Sequence, residues 1–177
     1  FLSPFPPRLL PNSKFRMGII LFYIGLCYFQ QAQRYRLKSV DFLQAAKKYF
    51  QQSINLFTTA NHPNLVAKFI NPLGEVLQRL GDWDELKNIA QQSLDLQQLY
   101  GNPLRVAQAY GFLAEVASSY NQWNQAKHFA YQALHNIAKA PSAQLQNRAL
   151  YLLLLANSER YLEQKPRAVK HLQMARD

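Results

Sequence analysis

The sequence repeats itself at an interval of about 40 residues, and this interval limits its possible folds more than any other feature. The hexapeptide QQSINL at residues 51–56 recurs as QQSLDL at residues 91–96, a shift of 40. The same shift places Trp83 on Trp123. A fixed interval of this length is typical of solenoids, in which each repeat is one supersecondary unit that stacks on its neighbours. The chain is therefore predicted to be an array of small repeats.

Short breaks divide the sequence into helical stretches. Only 6 of the 177 residues are glycine, which disfavours β-sandwiches and glycine-rich phosphate loops. Proline, glycine and asparagine occur instead at the breaks, at residues 61–64, 81–82, 101–103, 121–122, 140–142 and 163–166. The breaks predict eight helices in four hairpins, with first-turn prolines and N-caps at Pro63, Pro103, Pro166, Asp82 and Ser142.

The same breaks set the predicted segments. Four of the nine prolines lie in the first 13 residues, which predicts an extended Pro-rich tail or linker. The segments are the tail at 1–13 and four repeats at 14–60, 63–100, 103–139 and 142–177. The last repeat has no polar capping helix after it. We therefore expect it either to continue into further repeats or to associate with another subunit.

Small residues recur at one position of each first helix, which lets the paired helix approach closely. These positions are Gly25, Gly74, Ala114 and Ala156, and the facing positions in the second helices are Ala46, Leu86, Ala126 and Ala168. Together with the bulky residues between them, they resemble the tetratricopeptide repeat family over residues 15–177. The variant is a long-period one, since the equivalent positions 74, 114 and 156 are separated by 40 and 42. The resemblance implies an all-α fold: an α-solenoid of four antiparallel helix hairpins in a right-handed superhelix.

The first hairpin departs from this pattern. The two marked positions are separated by 12 in the later repeats (74 to 86, 114 to 126, 156 to 168) but by 21 in the first (25 to 46). Nine inserted residues at about 30–38 account for the difference. At about 1.5 Å per helical residue, they are expected to lengthen each helix of the hairpin by a turn or more.

The insert belongs to a basic end of the chain. Residues 1–50 contain eight Lys and Arg against one acid, so +7 of the net charge of +10 lies there. Such an end attracts nucleic acid, anionic lipid or an acidic protein partner. Arg34, Arg36 and Lys38 flank Tyr35, a mixture found in single-strand nucleic-acid contacts. A solvated hairpin tip explains the same residues, and both readings stay open.

The sequence contains no recognisable catalytic constellation. Cys27 lies in the apolar run Met17–Phe29, so a buried thiol is expected. His128 and His135 have no cysteine or carboxylate at ligand spacing, which favours a surface pair over a metal site. We therefore predict no enzyme activity, no metal and no cofactor. The apolar run is also short of the ~20 residues that span a membrane, and a buried helix is predicted.

The resemblance also implies a binding groove, because in tetratricopeptide arrays the first helix of each hairpin lines a concave face. Helical periodicity nominates the residues of that face. The main candidates are Asn71, Glu75, Arg79, Phe112, Glu115, Ser118, Asn157, Arg160 and Tyr161. Gln78, Gly111 and Leu153 lie on the same predicted face. In the first hairpin this face is an apolar strip of Phe22, Leu26 and Phe29. Two acids in the middle of this set would repel a peptide carboxylate, so the carboxylate clamp of some family members is not expected.

These features predict a protein-interaction scaffold or sensor module that binds a peptide or partner protein in its groove. We expect it to act in the cytoplasm, as part of a larger multidomain regulatory protein. The alternative function is binding of nucleic acid or an anionic surface through the basic first hairpin. A steep loss of binding with rising salt would indicate that alternative.

Overall fold

A computed structural model describes residues 13–140 and 145–176. These residues form eight α-helices and no strand, which confirms the all-α prediction. The helices are α1 Ser13–Arg34, α2 Ser39–Thr59, α3 Pro63–Leu80, α4 Trp83–Tyr100, α5 Pro103–Ser119, α6 Trp123–Ile137, α7 Leu145–Tyr161 and α8 Lys165–Arg176, with a short 3₁₀ turn at Arg36–Lys38. The predicted tail, apart from residue 13, and the predicted cap at Ser142 lie outside the described residues.

Four helices, α3, α4, α5 and α8, begin where the sequence predicts. Pro63 and Pro103 are the first residues of α3 and α5, Pro166 lies in the first turn of α8, and Asp82 is the N-cap of α4. At α5 the cap is complete, because the Asn102 side chain accepts a hydrogen bond of 3.0 Å from the backbone N–H of Arg105.

The first helices of the later hairpins share one ending. Gly81, Asn121 and Glu163 all have left-handed φ angles, of 73°, 58° and 60°. The backbone N–H of the next residue donates to a carbonyl five residues earlier each time, at 3.0, 2.8 and 2.8 Å. This is the Schellman ending of an α-helix. The three sites are separated by 40 and 42 along the chain (81 to 121, 121 to 163), so the turns follow the period of the sequence.

The chain divides into two compact units, residues 1–76 and 77–177. In the first unit, α1 and α2 meet at glycines. A Cβ atom on Gly25 would lie 2.7 Å from the Phe50 ring, and one on Gly18 would lie 2.8 Å from the Phe57 ring. The Ser53 hydroxyl donates a hydrogen bond of 2.7 Å to the Gly18 carbonyl. Glycine is therefore required at both places for the two helices to approach this closely.

The first hairpin has the two longest described helices, and the inserted residues themselves extend α1 but not α2, although both helices were expected to gain from them. Helices α1 and α2 contain 22 and 21 residues, whereas α3 to α8 contain between 12 and 18. Residues 30–34 extend α1, and the remainder form the turn that leads to α2.

The second unit is built on alanine contacts. Ala114, Ala130 and Leu155 are completely buried and form one cluster, with Phe129 and Leu154 packed against it. Ala126 and Ala168 are buried too, as their place in the repeat predicts.

The expectation of a buried thiol at Cys27 is wrong. Gly18, Phe22, Gly25 and Phe29 form the buried face of α1, at helical spacing. Cys27 is exposed on the other side of the helix. The run is apolar all round, and composition alone therefore could not show that only one of its faces is covered.

Candidate partner-binding site

The predicted groove residues fall in both units, and each unit is described separately. In the first unit, Asn71 and Glu75 lie on α3, where Asn71 is buried and Glu75 is half-buried. In the second unit, α3 ends with half-buried Gln78 and exposed Arg79, and the other nominated residues lie on α5 and α7.

Phe22, Gly111 and Leu153 occupy the same position of their repeats, and this position was nominated for the groove. In two of the three repeats it instead forms the contact between neighbouring hairpins. In the first unit, the ring centroids of Phe22 on α1 and Phe69 on α3 are 4.3 Å apart. In the second unit, a Cβ on Gly111 of α5 would lie 2.5 Å from the Tyr151 ring of α7. Both contacts join first helices of successive hairpins. Leu153, at the same position of the last described repeat, is 48% exposed.

Phe112 also lies in the core, with 6% of its surface exposed. In α5 the residues from Gly111 to Ala114 are all buried, so helical spacing alone could not separate a core face from a binding face there. The apolar strip of the first hairpin shows the same difficulty. Phe22 and Phe29 are buried, whereas the exposed apolar residues of α1 are Met17, Ile20 and Tyr23.

Glu115 is the nominated residue with the most unusual environment. Its side chain is half-buried on α5, and burial raises the pKa of its carboxyl group from 4.5 to about 7. A hydrogen bond with the Gln78 side chain opposes the shift. The partner of this acid is therefore a neutral amide at the end of α3. Ser118, one turn further along α5, is half-buried as well.

The nominated residues of α7 support one another. Arg160 Nη2 donates a hydrogen bond of 3.0 Å to Asn157 Oδ1, and its guanidinium carbon lies 4.7 Å from the Tyr161 ring centroid. The Tyr161 ring stacks on Trp123 of α6, with centroids 3.9 Å apart and planes 6° apart. Asn157 and Arg160 also line a hollow of about 450 Å³, together with Leu153 and Leu172. Arg160 is thus held in place while it stays exposed.

The three cations of the basic patch are exposed at the tip of the first hairpin. Arg34 ends α1, and Arg36 and Lys38 lie in the turn that follows. The structure brings these cations together around a second hollow.

A buried polar cluster in the second unit was not nominated from the sequence. The Glu159 side chain is completely buried, with Oε2 2.7 Å from His171 Nδ1 and Oε1 3.9 Å from Lys127 Nζ. The Tyr131 hydroxyl donates to Oε1 at 3.4 Å. Glu159 occupies a position at which the repeat pattern prefers an aromatic residue, and this departure is the sequence feature that could have identified the cluster. The cluster links α6, α7 and α8.

The described residues, 13–140 and 145–176, offer neither a metal centre nor a membrane span. In these ranges no group of three or more His, Cys, Asp or Glu side chains is placed to hold a metal ion. Among the described helices, none combines the length and the apolar character that a membrane span requires.

Residues 65–140 match the family model described as Tetratricopeptide repeat. This part of the chain is therefore similar to tetratricopeptide repeats. The helix starts agree with the long-period variant, because α4, α6 and α8 begin at residues 83, 123 and 165, with separations of 40 and 42. Tetratricopeptide repeats are scaffolds of a non-catalytic type, and they generally mediate protein–protein interaction.

The fold also matches 44 chains of known structure. One of them is the crystal structure of BtubC (BKLC) from P. vanneervenii, with a TM-score of 0.71 and 16% sequence identity. The match covers 93% of this chain and 68% of that chain. At this identity the likeness shows the fold alone, and it confirms the prediction of a helical-repeat α-solenoid. No curated protein matches the sequence.

Proposed function

We propose that the tetratricopeptide repeat region binds a peptide segment of a partner protein, and that Glu115 accepts a basic group of that peptide. The site is formed by Glu115, Gln78 and Ser118 in the second unit, with Asn157, Arg160 and Tyr161 as further candidates. Phe112 and Asn71 are left out because both are buried, and Glu75 and Arg79 stay predictions. The chain is proposed to act as a scaffold, without a catalytic role or a cofactor.

The half-buried carboxyl of Glu115 is the observation that supports this proposal best. Holding an acid where burial raises its pKa to about 7 costs folding free energy, because water no longer solvates the charged form. The neutral Gln78 amide offsets part of that cost. A lysine or arginine of a partner would offset more, since a charge-assisted hydrogen bond is stronger than a neutral one. Strained or costly groups of this kind are found at binding sites more often than elsewhere.

The proposal predicts a basic, pH-dependent ligand. Random peptides displayed on phage are selected on the whole chain and counter-selected on the Glu115→Gln variant. The selected peptides are expected to be rich in Lys and Arg. The affinity of one synthetic representative is then measured by fluorescence anisotropy between about pH 5 and pH 8. It should rise by up to about tenfold per pH unit below the carboxyl pKa and level off above it.

Glu115→Gln should weaken this peptide and remove the pH dependence. Glu163→Gln is the matched control, because Glu163 is exposed in the same unit. Circular dichroism establishes that both variants keep their helical content. Peptides without basic residues, or peptides that bind Glu115→Gln as well as they bind the unchanged chain, would contradict the proposal.

The wider setting stays a prediction. It includes a place in a larger multidomain regulatory protein, a role in signalling, a cytoplasmic location and self-association through the last repeat.

A further inference from the structure

The turn of the first hairpin forms a hollow that the proposed groove does not use. It measures about 660 Å³ and lies between the end of α1, the 3₁₀ turn and the start of α2. Tyr35, Leu37 and Phe42 contribute apolar surface to it. Leu37 is 103% exposed, so its side chain packs against nothing in the described part of the protein. Leaving such a leucine in water is unfavourable unless a partner covers it.

Cations surround this hollow. Arg34, Arg36 and Lys38 all line it and are all exposed, and Asp41 is the acid in the first turn of α2. Three positive charges therefore stand against one negative charge within residues 34–41. The site combines an apolar centre with a positive rim, and an occupant must match both.

We infer that this hollow, the tip site, binds an acidic peptide segment of a partner protein. An apolar side chain of that segment would fill the hollow, and carboxylates on either side of it would meet the three cations. The inference goes beyond the proposed function, because it concerns another unit, other residues and a ligand of opposite charge.

The geometry favours a peptide over the two other anionic partners. Membrane affinity scales with the apolar area that enters the bilayer, and a hollow offers less of it than a protruding apolar helix face does. A nucleic-acid strand needs an open aromatic face on which bases can stack. The Tyr35 ring is already engaged, since its centroid lies 6.0 Å from that of Phe42 and 6.0 Å from the guanidinium carbon of Arg34.

The energetics require both parts of the ligand. An exposed ion pair contributes little by itself, so acidic residues alone should bind weakly. Burial of Leu37 against an apolar side chain adds a contribution that does not depend on salt. The combined ligand should therefore bind more tightly than either part, and rising salt should remove only the ionic share of its affinity.

Synthetic probes can test this inference on the whole chain. The main probe is a fluorescent peptide with a Phe-Leu pair between runs of glutamate. A second peptide replaces Phe-Leu by Gly-Ser, and a third replaces the glutamates by glutamine. The main probe should bind about tenfold more tightly than either. An oligothymidylate strand and vesicles of phosphatidylcholine with phosphatidylserine represent the competing partners.

Matched variants locate the binding. The triple variant Arg34→Gln, Arg36→Gln, Lys38→Gln should weaken the main probe about tenfold. The control triple Lys165→Gln, Arg167→Gln, Lys170→Gln removes the same exposed charge from α8 and should have no effect. Leu37→Ser should weaken the probe about fivefold, whereas Leu99→Ser, at a leucine that is 76% exposed on α4, should not.

Several results would overturn the inference. Equal binding of the Gly-Ser peptide would show an unspecific attraction for polyanions. Tighter binding of oligothymidylate or vesicles would assign the tip to nucleic acid or to lipid. An unaffected tip triple, or an equal loss in the α8 triple, would show that the tip is not the site. None of these results depends on Glu115, so the proposed function would be unaffected.

Discussion

At the scale of single residues, Glu115 predicts a pH dependence of stability. Its pKa is raised from 4.5 in the unfolded chain to about 7 in the fold, so the folded state holds the proton more tightly. The contribution of Glu115 to stability is therefore most favourable below about pH 4.5 and is lost as the pH rises from there through 7. Glu115→Gln removes this loss. We expect the variant to match the unchanged chain at about pH 4.5 and to exceed it by up to about 3 kcal/mol at about pH 8.

Urea unfolding at these two pH values measures the difference. Glu163→Gln is again the control, because it removes an exposed carboxyl from the same unit. If the difference in unfolding free energy between Glu115→Gln and the unchanged chain is the same at both pH values, the buried carboxyl carries no such cost. The proposed binding function requires this cost, because a basic group of the ligand would offset it on binding.

At the scale of helices, the close contact between Gly111 and Tyr151 limits the size of the residue that position 111 can hold. Alanine favours a helix over glycine by about 1 kcal/mol, so Gly111→Ala should stabilise an isolated helix. In this fold the added Cβ would lie 2.5 Å from the Tyr151 ring, which is 2% exposed and enclosed. We therefore expect a net destabilisation of about 1–3 kcal/mol by chemical denaturation.

A second substitution isolates the cause. Tyr151→Leu in the Gly111→Ala background removes the ring that the methyl group meets, and should recover part of the loss in a double-mutant cycle. Gln125→Ala, at an exposed position of α6, tests the helix preference alone and should be neutral or slightly stabilising. A stabilised Gly111→Ala would show that the two helices separate easily at this point.

The same scale shows what could and could not be predicted from the sequence. The breaks predicted the helix starts at Pro63, Asp82 and Pro103, because capping and first-turn preferences are local. The faces of the helices were harder to predict, since they depend on which neighbours cover them. Leu153 and Gly111 occupy one repeat position, yet Gly111 packs against Tyr151 whereas Leu153 is exposed among the described residues. The cluster at Glu159 could not be predicted either, because its partners lie on α6 and α8 and helical periodicity describes only one helix at a time.

At the scale of the whole molecule, the division into two units predicts that stability is local. Residues of a repeat array contact mainly their neighbours along the chain, so a defect in one hairpin should weaken that hairpin most. Gly25→Ala places a methyl group 2.7 Å from the Phe50 ring in the first unit, and Gly111→Ala perturbs α5 and α7 in the second. Native-state hydrogen exchange of the two variants distinguishes local from global effects.

We expect Gly25→Ala to speed amide exchange in α1 and α2 while α7 and α8 keep their rates, and Gly111→Ala to do the reverse. A uniform increase across all described helices would mean that the chain opens only as one cooperative unit. In that case a ligand at the tip site would stabilise the Glu115 site as well. Under local opening, a ligand bound to one unit should leave amide exchange in the other unchanged, because its binding energy is confined to the helices that it contacts.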